Sequence, residues 1–271
     1  IMACGTGKTF TALKIAEQFA SQNGQILFLV PSISLLSQTL REWTAETTVS
    51  LHSVAVCSDT KAGKRKAEQS DTDDIHAYDL ALPPTTEAKT IAARVQLLAG
   101  KRDLTVIFST YQSIQAIADA QKLGLPEFDL IICDEAHRTT GATFESESES
   151  NFVKVHDGNF IKAAKRLYMT ATPRIYGDSA KVKEEQGGVK LCSMDDESLY
   201  GKELFVINFS EAVSRGLLCD YKVVVLTVDE AHISSRLQTL LADENNQLKV
   251  DDAAKIVGCW KALSKQSLKE S

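Results

Sequence analysis

Ala3-Cys4-Gly5-Thr6-Gly7-Lys8-Thr9 opens the chain and decides how the rest of it is read. Gly5 and Gly7 let the backbone take conformations that a side chain forbids, so that successive N–H groups turn inward toward one anion. The residues that follow carry Leu13, Ile15, Ala16 and Phe19, which predicts a helix over residues 10–21. The N-terminus of that helix adds partial positive charge at the same place. Lys8 can then reach the outer phosphates of a nucleotide, and the Thr9 hydroxyl can ligate Mg²⁺. Gly5, Thr6, Gly7, Lys8 and Thr9 are therefore candidate nucleotide-binding residues, with ATP and Mg²⁺ as the expected cofactors. Met2 stands where this pattern ordinarily has its first glycine, but the two glycines nearest the lysine are intact. A chance Gly-rich turn is the alternative, and the strings downstream weigh against it.

The second string, Asp134-Glu135-Ala136-His137, follows the apolar run Phe128-Asp129-Leu130-Ile131-Ile132-Cys133. Such a run is what a buried parallel strand produces. It places Asp134 and Glu135 at the strand's C-terminal end, where open α/β sheets bind ligands. Asp134 is the expected Mg²⁺ ligand beside Thr9. Glu135 is the expected catalytic base that orients and deprotonates water, with Lys8 as its catalytic partner on the phosphates. The third string is Thr170-Ala171-Thr172-Pro173, after another strand-like stretch. His137 either couples the nucleotide site to Thr170, Ala171 and Thr172 or satisfies a core hydrogen bond. In this order the three strings describe an ATP-driven nucleic-acid motor.

Asp229-Glu230-Ala231-His232 repeats the second string, but after the third and with no second phosphate loop before it. It reads as a solvated strand end. With 271 residues, 44% of them hydrophobic, the chain can bury a full core, and no run is long enough to cross a membrane. The net charge of −6 argues against a uniformly basic clamp for nucleic acid but permits local phosphate contacts. Lys61, Lys64, Arg65 and Lys66 form one basic cluster, read as a solvated face, and Lys162, Lys165 and Arg166 form another. The six cysteines lack metal-ligand spacing and read as reduced thiols, so a cytoplasmic location is expected. Ile1-Met2-Ala3 leads straight into the phosphate loop where a strand ordinarily precedes it. The chain is therefore expected to be an excised piece of a larger protein.

Strand and helix alternate along the sequence. Strands are predicted over residues 26–30, 51–57, 104–108, 128–133, 166–169, 204–209 and 221–228. Helices are predicted over 35–45, 87–98, 111–121 and 210–215. Residues 59–86 are polar and broken by Pro83-Pro84, the mark of an insertion, and the Ser/Glu-rich stretch 139–150 reads as a solvated loop. Repeated βα units imply an α/β fold, a parallel sheet with helices on both faces. One ATPase domain is expected over residues 1–228, with 229–271 starting a connection to a second domain.

With these motifs in place, the chain resembles the first RecA-like domain of a superfamily 2 helicase or translocase of the DEAH type. The resemblance extends to Val30-Pro31-Ser32 and to Ser109-Thr110-Tyr111-Gln112-Ser113, and implies that Pro31, Ser32, Ser109, Thr110, Tyr111 and Gln112 contact nucleic acid. Apart from it, Ser32 and Ser109 read as ordinary helix caps. A narrower resemblance, to the helicase-like portion of bacterial Type ISP and Type I restriction–modification enzymes, rests on four stretches. They are residues 109–113, 134–141 and 168–176, and Ser193-Met194-Asp195-Asp196-Glu197 with Tyr200-Gly201 behind it. It implies a translocase that hydrolyses ATP on DNA, duplex DNA being favoured, with further domains of the same parent chain as partners. A strand-separating DNA or RNA helicase and a non-hydrolysing nucleotide switch are the alternatives.

Such motors hydrolyse ATP between two RecA-like domains, and an arginine finger from the second is worth about 10³–10⁵ in rate. The isolated chain is accordingly expected to bind Mg-ATP weakly and turn it over slowly or not at all in a steady-state phosphate-release assay. Brisk turnover by the chain alone would contradict this.

Overall fold

The computed structural model describes residues 1–19, 23–58, 84–98, 103–144, 151–176 and 189–220. Five parallel strands form the sheet: β1 (Gln25–Val30), β2 (Leu51–Val56), β3 (Leu104–Thr110), β4 (Leu130–Cys133) and β6 (Arg166–Tyr168). They lie in the order β2-β3-β1-β4-β6. Past β6, the Met2 amide donates to the Thr170 carbonyl (2.9 Å), and Met2 bridges Ile207 in parallel. The phosphate loop thus leaves the sheet one position beyond the strand that carries the third motif. The expected α/β fold is what is observed.

The alternation within each strand explains the two layers. Ile26, Phe28 and Val30 of β1 and Val106 and Phe108 of β3 face one side, packing on α1 (Lys8–Glu17) and α2 (Ile33–Glu46) through Leu13, Leu36 and Trp43. Leu27, Leu29 and Ile107 face the other, against α3 (Ala88–Leu98) and α4 (Ile114–Lys122). Strands covered on both faces must be apolar at every position, which is why they read as unbroken hydrophobic runs. Trp43 is fully buried, its ring edge-on to Phe28 (5.1 Å) and Phe108 (5.4 Å). Its indole N–H donates to the Thr9 carbonyl (3.1 Å), tying α2 to the first turn of α1.

Three expectations are corrected. Residues 139–150 are not all loop: β5 (Gly141–Phe144) pairs antiparallel with β7 (Val189–Cys192), a strand that local pattern did not reveal. Residues 204–209 contribute only the single bridge at Ile207, because Asn208 caps the helix α6 (Phe209–Ser214) by accepting from the Glu211 amide (2.8 Å). Between them a single helical turn, α5, spans Glu197–Tyr200. Arg166 does not present its charge in a basic cluster with Lys162 and Lys165, since its guanidinium donates to the Val155 (2.8 Å) and Ile161 (2.7 Å) carbonyls.

The chain divides into units Ile1–Leu218 and Cys219–Ser271. The boundary expected at 228/229, the strand over 221–228, the Asp229–His232 repeat, the Lys61–Lys66 cluster and most of the 59–86 insertion lie outside the described residues. No described helix is long and apolar enough to cross a membrane.

Replacing Trp43 with Ala is expected to cost about 3–5 kcal/mol of stability through the cavity it leaves. Denaturant unfolding checks this, and a loss under about 1 kcal/mol would show that Trp43 is not a keystone of this layer.

Candidate active site

The parallel register brings the motif-bearing strand ends to one edge. Val30 aligns with Thr110, Leu29 with Cys133, and Cys133 with Tyr168, so the residues following each strand emerge side by side. Those residues are Pro31-Ser32, Tyr111-Gln112, Asp134-Glu135 and Thr170. The sheet edge therefore assembles what the sequence scatters across 140 positions, from residue 31 to residue 170.

At the phosphate loop Gly5 (φ 79°) and Gly7 (φ 86°) both adopt the left-handed region. Nothing lies within 4 Å of where a Gly7 Cβ would stand, so the need for glycine there is conformational and the space above the loop is open. α1 begins at Lys8 with no capping side chain and no acidic residue in its first turn. Its first amides are left without the partner that an anion supplies. Lys8 Nζ donates to the Met2 carbonyl (3.4 Å), which folds its side chain back over the loop. This loop fits a nucleotide phosphate: open, uncapped and cationic.

Asp134 is 7% exposed, and its Oδ1 accepts from the Glu135 amide (2.9 Å). Its backbone is held on both sides, by Leu29 through Asp134 N–H (2.9 Å) and by the Tyr111 hydroxyl donating to its carbonyl (2.9 Å). Burial pushes the Asp134 carboxyl up to about 6, with the Glu135 charge adding to the push and the Glu135 amide and Lys8 opposing it. A buried carboxylate with its second oxygen unbonded among the described residues fits a divalent cation, which would restore the charge balance that burial removes. Burial also lifts the Tyr111 hydroxyl well above its usual range, so it stays a donor, and raises the Cys133 thiol to about 12.

Glu135 sits at φ 50°, ψ 45°, left-handed without being glycine. Such a conformation costs on the order of 1–3 kcal/mol and persists only where its surroundings hold it. His137 Nδ1 lies 3.0 Å from Thr170 Oγ1 and 3.3 Å from Glu135 Oε2. Burial lowers the His137 pKa, so the ring is neutral at physiological pH. With a carboxylate beside it, Nδ1 is the nitrogen that carries the proton. Thr170 Oγ1 in turn accepts from the Thr172 amide (3.1 Å), while Ala171 lies between them. The second and third motifs therefore touch.

Of the residues expected to meet nucleic acid, Pro31, Ser109, Thr110 and Tyr111 are buried. Ser32 caps α2 by accepting from the Leu35 amide (3.3 Å), and Gln112 reaches back to the Pro31 carbonyl (3.3 Å). Ser32 and Gln112 are the exposed side chains of the two segments, and Tyr111 supports Asp134 instead. Sequence reasoning gave no role in the site to Trp43 or His156, and met Tyr168 and Tyr200 only inside stretches that carry the family resemblance.

Fold and site together define a helicase-like P-loop domain. Residues 1–175 match the family described as Type III restriction enzyme, res subunit, and the chain belongs to that family. It is similar to the ATP-dependent Type ISP restriction-modification enzyme LlaBIII bound to DNA, at 48% identity and a TM-score of 0.70 over 96% of this chain and 17% of that one. A nuclease-deletion mutant of the Type ISP enzyme LlaGI, in complex with a DNA substrate mimic, matches at 39% identity and a TM-score of 0.63 over 91% and 20%. A probable helicase of African swine fever virus is 29% identical over 240 residues, 88% of this chain and 23% of that protein. The chain thus spans about a fifth of the length of these relatives.

Because folding lifts the Asp134 pKa from 3.8 to about 6, its charge burdens the fold above about pH 6 and not below about pH 4. Asp134→Asn is expected to stabilise the ligand-free protein by about 2–3 kcal/mol at pH 7–8, a gain that vanishes as pH falls toward 4. Thermal melts across that pH range check it, and equal melting temperatures at neutral pH would refute it.

Proposed function

We propose that this chain is the ATP-binding and hydrolysing domain of a DNA translocase from a restriction–modification enzyme. The observation that carries the reading is the contact of the second and third motifs, His137 on Thr170 with Glu135 alongside, on the edge where Asp134 also emerges. Its narrower form is supported by similarity to two Type ISP enzymes whose structures contain DNA or a DNA mimic.

The amides of the loop and of the first turn of α1, together with Lys8, would bind the phosphates. Thr9 and Asp134 would hold Mg²⁺. Bound Mg-ATP supplies the phosphoanhydride bond and the cation that neutralises its charge. Glu135 would accept a proton from water, the remaining chemical task for the protein in phosphoryl transfer. His137 would report that event to Thr170 and Thr172. Ser32 and Gln112 present polar groups to solvent near the same edge and suit contacts to nucleic-acid phosphate. Further domains of the parent protein would complete the site.

In the full-length protein, ATP hydrolysis is expected to rise strongly with duplex DNA and much less with single-stranded DNA or RNA. Lys8→Ala should abolish it, and Glu135→Gln should lower kcat by about 10²–10⁴ while Mg-ATP still binds. Preference for single strands would favour a strand-separating enzyme. Indifference to Glu135→Gln would instead mark a nucleotide switch.

A further inference from the structure

The strained backbone of Glu135 needs support, and a group of aromatic side chains beneath it supplies one that none of the sequence motifs announces. Thr139, fully buried, is the last residue of the short 3-10 turn Ala136–Thr139 that follows Glu135. His156 Nε2 lies 3.1 Å from the Thr139 carbonyl, and His156 Nδ1 lies 2.9 Å from the Tyr168 hydroxyl. The Tyr200 hydroxyl lies 3.0 Å from Thr139 Oγ1, which is itself 2.8 Å from the Ala136 carbonyl. The three rings close on one another, with centroids 4.9 Å (His156–Tyr200), 4.9 Å (Tyr168–Tyr200) and 5.4 Å (His156–Tyr168) apart.

The chemistry of the groups fixes both donors to Thr139. A carbonyl only accepts, so His156 Nε2 carries hydrogen and donates to Thr139. The other ring nitrogen, Nδ1, has the Tyr168 hydroxyl as its partner. Thr139 Oγ1 spends its hydrogen on the Ala136 carbonyl, so Tyr200 must donate to Thr139. Burial raises both tyrosine hydroxyls above their usual range and keeps them protonated. Two of these bonds end on Thr139, a third closes the turn on itself and a fourth holds the His156 ring, and each remaining end of the turn is also held. The Ala136 amide donates to the Met169 carbonyl (2.9 Å), and the Arg138 amide donates to that of Glu135 (2.9 Å).

Of the anchoring residues, His156 and Tyr168 lie between the second and third motifs, and Tyr200 comes from beyond the third. Tyr200 ends α5, and the stretch before it is bonded to the residues after Thr170-Ala171-Thr172-Pro173: Met194 N–H to the Arg174 carbonyl (3.1 Å), Tyr176 N–H to Ser193 Oγ (3.1 Å). The β5–β7 pairing sets Gly141 opposite Cys192, so the exit of the turn is fastened to the same segment. We infer that His156 and Tyr200 are positioning residues that clamp Thr139 and thereby hold Glu135 in its left-handed conformation, a second link between the second and third motifs beside His137–Thr170. This inference rests on the hydrolytic role proposed for Glu135, and it distinguishes a brace from ordinary packing because the network ends on one turn.

The test uses the full-length protein with Tyr200→Phe, His156→Ala and His156→Gln, whose amide can still donate to the Thr139 carbonyl. Loss of a single hydroxyl in Tyr200→Phe is expected to lower kcat about fivefold, the worth of one hydrogen bond, with the KM for ATP within about twofold of wild type. His156→Ala should lower kcat by about ten- to a hundredfold, as misplacement of a catalytic group does, and His156→Gln should recover part of it. Amide hydrogen exchange of Ala136 and Arg138 should quicken in Tyr200→Phe and His156→Ala without any general loss of protection. Unchanged exchange in this turn in Tyr200→Phe and His156→Ala overturns the brace, whether or not the protein turns over ATP. Unchanged kcat in both, where Lys8→Ala abolishes turnover, overturns it while leaving the hydrolytic role standing. An equal rise in KM, or a uniform fall in stability with no local change in exchange, also overturns it, since either would mark general packing.

Discussion

Everything in this site depends on the parallel register among β1, β4 and β6. Parallel strands end on the same side of a sheet, and hydrogen bonding between them fixes where each one stops relative to the next. Here that register sets Leu29 beside Cys133 and Cys133 beside Tyr168, so the residues that leave β1, β4 and β6 lie at one level. A slip of one residue would send Asp134 to the other face and part His137 from Thr170. The apolar layers on both faces forbid such a slip, because Ile26–Val30 of β1 and all of β4 are buried between the two helical layers.

The site stores the consequences of that rigidity. Asp134 is held nearly out of solvent, and its carboxyl is pushed up by burial rather than settled by a salt bridge. Glu135 stands in a backbone conformation that its side chain disfavours. Both features cost stability in the ligand-free protein, and both make sense where a cation and a nucleotide complete the charge balance. The scaffold supplies the compensation: Tyr111 holds the Asp134 carbonyl, Met169 receives the Ala136 amide, and Trp43 bonds the start of α1.

The third motif is tied to the second directly, and the segment that follows the third motif is tied to the second as well. His137 meets Thr170 directly. The route through Arg174, Ser193 and Tyr200 returns to the same turn from below. Two independent paths between one pair of loops make their relative position hard to alter piecemeal, a sound basis for a domain in which nucleotide state must be felt at a distance.

The sequence by itself determined the class of the domain and singled out the groups proposed to do its chemistry. Glycines next to a lysine, and a carboxylate pair after an apolar strand, are short-range requirements, and short-range requirements leave local marks in the chain. Strands buried on both faces were legible for the same reason, since each contains an unbroken apolar run such as Ile26–Val30 or Leu130–Cys133. What only the tertiary structure decided is which side chains support that chemistry. Tyr111 sits in a stretch that the family resemblance assigns to nucleic acid, yet it is buried against Asp134. Arg166 looks like part of a basic face, yet it bonds two carbonyls inside. The β5–β7 pair and the His156–Tyr168–Tyr200 group join residues 40 or more positions apart in places, through contacts that no local period encodes. Support of this kind depends on geometry between distant segments, and a one-dimensional pattern carries no record of it.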